Sequence, residues 1–191
     1  MIDELVELAK FLFGFLPWIV FLFLPTDSWD SLRRAVAICL VLSVPFSWKQ
    51  LRDGFVLQWA TVAFFLVATV SFYSFEWIWL AEHMAIITNG FLDGIIWFTV
   101  LIGKPFTLQY ARAELPAEQW HDENMIRSCR TIAVFWGALL LVPTACSVFH
   151  LVHPTALPGR FYFAVSVSCI VFGGAFTTAY KRMKRQQRAK A

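Results

Sequence analysis

Residues 84–103 read MAIITNGFLDGIIWFTVLIG, an apolar run of twenty residues broken by a single carboxylate. About twenty apolar residues are what an α-helix needs to cross a hydrocarbon core. Asp93 stands at the centre of the run, with Thr88, Asn89, Gly90 and Gly94 close by. At about 100° per residue, Glu82, Ile86, Asn89, Asp93, Trp97, Val100 and Lys104 fall within roughly 40° of one line. A carboxylate at mid-membrane costs a few kcal/mol on insertion scales, so this line is predicted to face protein or water rather than lipid. Gly90 and Gly94 form a G-x-x-x-G beside it, a groove that lets another helix backbone approach closely.

The rest of the chain has the same character. Of 191 residues, 59% are apolar and 15% charged, with twenty Phe and nine Trp and a mean hydropathy of +0.62. A water-soluble domain of this size could not bury so much apolar surface, so an integral membrane protein is expected. No Gly/Ser/Pro-rich linker divides the chain, which predicts one transmembrane domain over residues 1–191. The acidic start MIDELVELAK and the lack of an A-x-A site after the first apolar run argue against a cleaved signal peptide. Cys39, Cys129, Cys146 and Cys169 show no metal-type spacing and read as small buried hydrophobes.

Six apolar segments follow one another: Phe11–Pro25, Ala35–Trp48, Gly54–Phe75, Met84–Gly103, Thr131–Val152 and Phe161–Tyr180. The first two are short and hold Pro17 and Pro45, so the expectation is six spans, or five if that pair does not cross twice. The link FEWIWLAEH is rich in Trp and acid and suits a membrane–water interface. Gly173-Gly174 inside the last segment reads as a point of close helix packing. With six spans both termini share one side, and thirteen of the sixteen basic residues then lie on it. Arg33, Arg34 and Arg160 are left on the other. By the positive-inside rule, both termini and the basic tail 181–191 are expected in the cytoplasm, with the tail against anionic lipid.

Two stretches resemble the intracellular septation protein A family of bacterial inner-membrane proteins. One is FLFGFLPWIVFLFLP at residues 11–25. The other is IGKPFTLQYARAELPAEQWHDENMIRSCRTIAVFWGALL at 102–140. In that family a Lys-Pro pair closes a membrane helix, a short stretch leads to a Leu-Pro-x-x-x-Trp-like element, and an aromatic-rich helix begins. Lys104, Pro105, Leu115, Pro116, Trp120, Phe135 and Trp136 match in this chain, and segment order and length agree. The loop FTLQYARAE is less basic than the family's usual form and the tail beyond Tyr180 is strongly basic, as in a divergent relative. The resemblance implies a non-enzymatic inner-membrane protein of septation and envelope maintenance, acting through protein contacts with division or wall-synthesis proteins.

Three groups of residues could carry function. Asp93, with Asn89 and Glu82, could form a proton- or cation-coupled site, or it could fix helix packing beside Gly90 and Gly94. His83, His150 and His153 fall at the non-cytoplasmic ends of two segments near Glu76 and Glu82. They are the candidates for a metal- or quinone-linked site, although interfacial histidines mostly bind nothing. The loop 104–130 is predicted to be an amphipathic cytoplasmic element. Lys104, Pro105, Tyr110, Arg112 and Trp120 are its candidate partner-binding residues, because aromatics and Arg dominate contact hot spots. There is no H-E-x-x-H, no G-x-S-x-G and no phosphate-binding glycine loop, so neither catalysis nor a cofactor is implied. The basic residues are a topology signal and do not suggest nucleic acid. The expectation is an all-α polytopic helix bundle whose partners are the bilayer and other membrane proteins, with a homo-oligomer open to it as well.

Overall fold

The computed structural model describes residues 14–190, apart from the side chains of Glu114, Arg185, Arg188, Ala189 and Lys190. Every regular element among these residues is helical. In chain order they are α1 (Leu16–Phe23), α2 (Trp29–Phe46), α3 (Trp48–Arg52), α4 (Val56–Ser74), α5 (Ile78–Glu82) and α6 (Met84–Leu101). Then come α7 (Phe106–Glu114), a 3-10 turn (Ala117–Gln119), α8 (Glu123–Val152) and α9 (Gly159–Lys190). Contacts divide the chain into two compact units, one within Phe11–Ile95 and one within Ile96–Ala191. The division falls inside α6, so composition gives no sign of it.

Among the described residues, four helices are long and apolar enough to cross a membrane: α4, α6, α8 and the Gly159–Lys184 part of α9. They coincide with four of the six expected segments and are consistent with a membrane protein. Phe11, Leu12 and Phe13 lie outside the described residues, and the described part of that segment is the eight-residue α1. The second segment differs from expectation for an identifiable reason. Ser28 Oγ accepts from the Ser31 N–H at 3.2 Å, and Ser31 Oγ accepts from the Ser28 N–H at 3.0 Å. This reciprocal cap starts α2 at Trp29 rather than Ala35 and takes Asp30, Arg33 and Arg34 into the helix. TDSWDSLRR is therefore mostly helix, not a link.

In the first unit, α1 packs on α2 and α2 on α4. The Trp18 indole N–H donates to Thr61 Oγ1 at 2.9 Å, and Thr61 in turn donates to Leu57 O at 2.8 Å. Phe64 and Phe65 close on the same indole at 5.1 and 5.2 Å between ring centroids. Gln58, nearly fully buried, donates to Gly14 O at 2.9 Å. α4 thus buries Gln58, Thr61 and Ser71, while Leu66, Val67 and Val70 are 48%, 62% and 43% exposed. Beside the buried Leu57, Phe64, Phe65, Ala68 and Phe72, α4 places its polar groups inward and large apolar ones outward, unlike a helix at a water surface. The arrangement suits lipid, where outward apolar side chains cost nothing and inward polar ones must be satisfied by protein.

In the second unit, α8 and α9 form a hairpin and α7 lies against α8. Tryptophans fill the glycine notches. An added Cβ at Gly137 would lie 2.9 Å from the Trp97 ring, and one at Gly173 would lie 2.7 Å from the Trp136 ring. Gly173 therefore does mark close packing, as read from the sequence. Thirty residues make α8 about 45 Å long, more than a bilayer core of roughly 30 Å requires. Its first turns, Glu123–Arg130, belong to what the sequence suggested was a loop.

Candidate functional site

α6 carries the intramembrane polar residues. Its buried positions are Met84, Thr88, Asp93, Ile96, Thr99 and Val100, close to the three- and four-residue spacing of a helix face. Asp93 is 5% exposed, as its expected inward position requires. Asn89 and Ile86 are half-buried in preceding turns, and Trp97 packs over Gly137. The ends of the predicted line leave the helix. Glu82 closes the separate α5, which breaks at His83, and Lys104 lies beyond the α6 terminus; both are exposed. Asp93 and Asn89 thus share a helix and Glu82 does not. Thr88, near Asp93 in sequence, is buried on the same helix. Its Oγ1 is shielded and meets no hydrogen-bond partner among the described residues.

Gly90 and Gly94 behave differently from Gly137 and Gly173. A Cβ at either would meet no atom of the described residues within 4 Å. The face at this G-x-x-x-G is thus uncovered by the described residues, whereas Gly137 and Gly173 are filled.

The loop after α6 is a folded element. Gly103 takes φ +72, a conformation that suits glycine, and turns the chain out of the helix. Thr99 Oγ1 donates to Ile96 O at 2.8 Å and accepts the Phe106 N–H at 3.1 Å, so α7 starts tied to the end of α6. Pro105, Phe106, Thr107 and Leu108 are buried. Thr107 donates to Cys129 O on α8 at 2.7 Å, and Leu108 joins Met125 and Cys129 in a small apolar cluster. The apolar face of α7 is therefore covered by α8 and is not free to lie on a leaflet, as an independent amphipathic helix would.

At the other end, the Trp120 indole N–H donates to Arg112 O at 3.1 Å and Leu115 O at 3.0 Å, satisfying carbonyls that the end of α7 leaves open. Arg112 lies 6.0 Å from the Trp120 ring and its Nη2 contacts Trp120 O at 3.4 Å. Tyr110 packs edge-on to Phe106 at 6.4 Å. Of the five candidate loop residues, Lys104 and Trp120 are exposed, Tyr110 and Arg112 half-buried, and Pro105 buried.

Each of the three candidate histidines has an aromatic neighbour. His83 stacks on Trp79 at 4.4 Å with Nδ1 2.8 Å from Trp79 O, His150 lies 4.6 Å from the Tyr162 ring, and His153 caps α8 beside Phe149. Among the described residues no three His, Cys, Asp or Glu side chains are grouped so as to hold a metal. The four cysteines are free thiols, three of them buried. No protein-family model, curated protein or solved structure matches the chain.

Proposed function

We propose that this is a small polytopic protein of the bacterial inner membrane that works through contacts with other membrane proteins rather than by catalysis. A partner helix lies along the Gly90–Gly94 face of α6. The observation that carries this is a contrast: Gly137 and Gly173 are filled by the chain's own tryptophans, while Gly90 and Gly94, on an apolar helix, meet nothing among the described residues. Small residues are where membrane helices approach one another, because lipid tails give no hydrophobic drive and close backbone contact must supply the attraction. The Lys104-Pro105 and Leu115-Pro116-x-x-x-Trp120 resemblance supports partners from septation or wall synthesis.

Six spans, with both termini cytoplasmic, agree with the charge bias. α2 supports its own crossing by exposing Ile38, Val41 and Val44 along one side. Purification from native membranes in mild detergent, with co-purifying proteins identified by mass spectrometry, tests the proposal. Division or wall-synthesis proteins should be recovered with the natural chain and lost on Gly90→Leu with Gly94→Leu. Equal recovery with both chains would end it.

A second reading is favoured by the burial of Asp93 in a candidate span. An intramembrane carboxylate is costly and often marks a proton or cation path. Reconstituted protein would then move protons or cations, and Asp93→Asn would abolish the flux while leaving the fold intact. Flux that survives Asp93→Asn would remove this alternative.

A further inference from the structure

In the unit within Phe11–Ile95, polar groups at the two ends of α2 and α4 fix the height of the apolar face between them. At one end, the Arg33 guanidinium of α2 lies over the Tyr73 ring of α4, 4.3 Å from its centroid. Just past α4, Glu76 takes φ +46, a left-handed conformation that residues other than glycine seldom adopt. It folds the chain back, and the Trp77 N–H reaches Ser71 O at 3.3 Å. Trp77, 50% exposed, therefore stands beside the last turn of α4 rather than beyond it. At the other end, the Trp59 indole N–H donates to Leu51 O at 3.0 Å, next to the exposed Lys49, Arg52 and Asp53.

Charges, and Trp and Tyr with their polar tips, belong at the membrane–water boundary, so these groups mark two levels. From Trp59 to Tyr73, α4 rises roughly 21 Å. Over that stretch it exposes Ala63, Leu66, Val67 and Val70. α2 packs against it and has its own limits, Arg34 at one end and the exposed Trp48 just past the other. Its apolar stretch, Ala35 to Phe46, rises roughly 18 Å. Two adjoining helices thus give one height, well short of a bilayer core of roughly 30 Å. Tilt would lower the reach of both helices further. Snorkelling is limited at Arg33 by its seat on Tyr73. By contrast α9 has ordinary height: it rises roughly 29 Å from Phe161 to Tyr180, whose ring lies 5.9 Å from Lys184 Nζ.

We propose that the exposed α2–α4 face thins the bilayer beside it and takes short-chain lipids as its neighbours. This rests on the reading above that α2 crosses the membrane. Lipid is the occupant because the face presents Ile38, Val41, Val44, Leu66, Val67 and Val70 to its surroundings, where a close helix contact would use small residues. An apolar height below that of the bilayer draws the two leaflets together, and shorter chains relieve the strain.

The test reconstitutes the full-length protein into phosphatidylcholine vesicles whose monounsaturated chains lengthen stepwise from myristoleoyl to erucoyl. The thermal midpoint should be highest in the shortest lipid and fall with each lengthening. Copolymer discs cut from an equal mixture of the shortest and longest lipids should hold the shortest at about twofold excess around the protein. Arg33→Leu with Arg34→Leu lengthens the apolar stretch of α2 by roughly one turn and should move the optimum to longer chains. A midpoint indifferent to chain length, or highest in the longest lipid, would overturn the proposal, and so would discs without enrichment. The natural chain carries both of these readouts, so the proposal can fail even if the double variant does not fold. Thr26→Cys and Asp53→Cys, before α2 and after α3, check the crossing with an impermeant maleimide outside spheroplasts. One should label and the other should not. The same result at both positions would overturn the crossing of α2 and the thinning with it. Opposite sides without a preference for short lipid would overturn the thinning alone and leave the partner reading standing.

Discussion

The Trp136 indole N–H donates to Thr177 Oγ1 at 3.0 Å, while the same ring covers the notch that Gly173 leaves one turn away. Thr177 Oγ1 in turn donates a hydrogen bond to Gly173 O at 2.8 Å. One side chain of α8 therefore meets two residues of α9, one by shape and one by hydrogen bonding. Gly173→Ala should cost about 1–3 kcal/mol, because Trp136 is fully enclosed and cannot move away from the new methyl group. Trp136→Phe should cost about 1 kcal/mol through the lost hydrogen bond. Thermal melting in detergent would measure both, and an unchanged midpoint for Gly173→Ala would contradict the packing described.

The open glycines should give the opposite result. Gly90→Leu with Gly94→Leu should leave the melting of the purified chain unchanged within about 0.5 kcal/mol, or raise it slightly, since leucine favours a helix over glycine. Gly137→Leu should strongly destabilise, because Trp97 already occupies that space. A marked loss of stability in the Gly90/Gly94 variant would mean that the chain itself uses the groove.

Asp93 sets the insertion cost of α6. Replacing a central Asp with Leu should improve the apparent insertion free energy of residues 84–103 by about 3 kcal/mol. A glycosylation-based insertion assay on the isolated segment reads this directly. If the natural segment inserts as well as the Asp93→Leu form, the carboxylate carries no such penalty.

The docking of α7 can be probed by amide exchange. Thr107→Val removes the 2.7 Å bond to Cys129 O and should speed exchange along Phe106–Tyr110. Trp120→Phe removes the donor to Arg112 O and Leu115 O and should loosen only the far end, Arg112–Leu115. Each effect is expected to be about 1 kcal/mol of local stability. Uniform protection across both variants would show that α7 is held by apolar contact alone.

The helical class was legible because apolar runs of span length leave few alternatives. The burial of Asp93 was legible because charge in an apolar helix has few places to go. The start of α2 was not, because a Ser-Ser cap and three charges look like a link unless the reciprocal hydrogen bonds are known. The loop was half legible: Pro116 and Trp120 signalled structure there. The covering of Phe106 and Leu108 depends on where α8 lies, and periodicity in a nine-residue stretch cannot report that. The aromatic neighbours of the histidines were equally hidden, because Trp79, Phe149 and Tyr162 meet them through turns and packing that spacing does not report.

The double role of Thr99 has a mechanical consequence. Its hydroxyl grips a carbonyl inside α6 and the first amide of α7, across a turn that Gly103 allows. Thr107 fastens the next turn of α7 to α8 in the same way. Two hydroxyls eight residues apart thus clamp the corner from both sides, and the bend at Gly103 is a braced elbow rather than a loose tether.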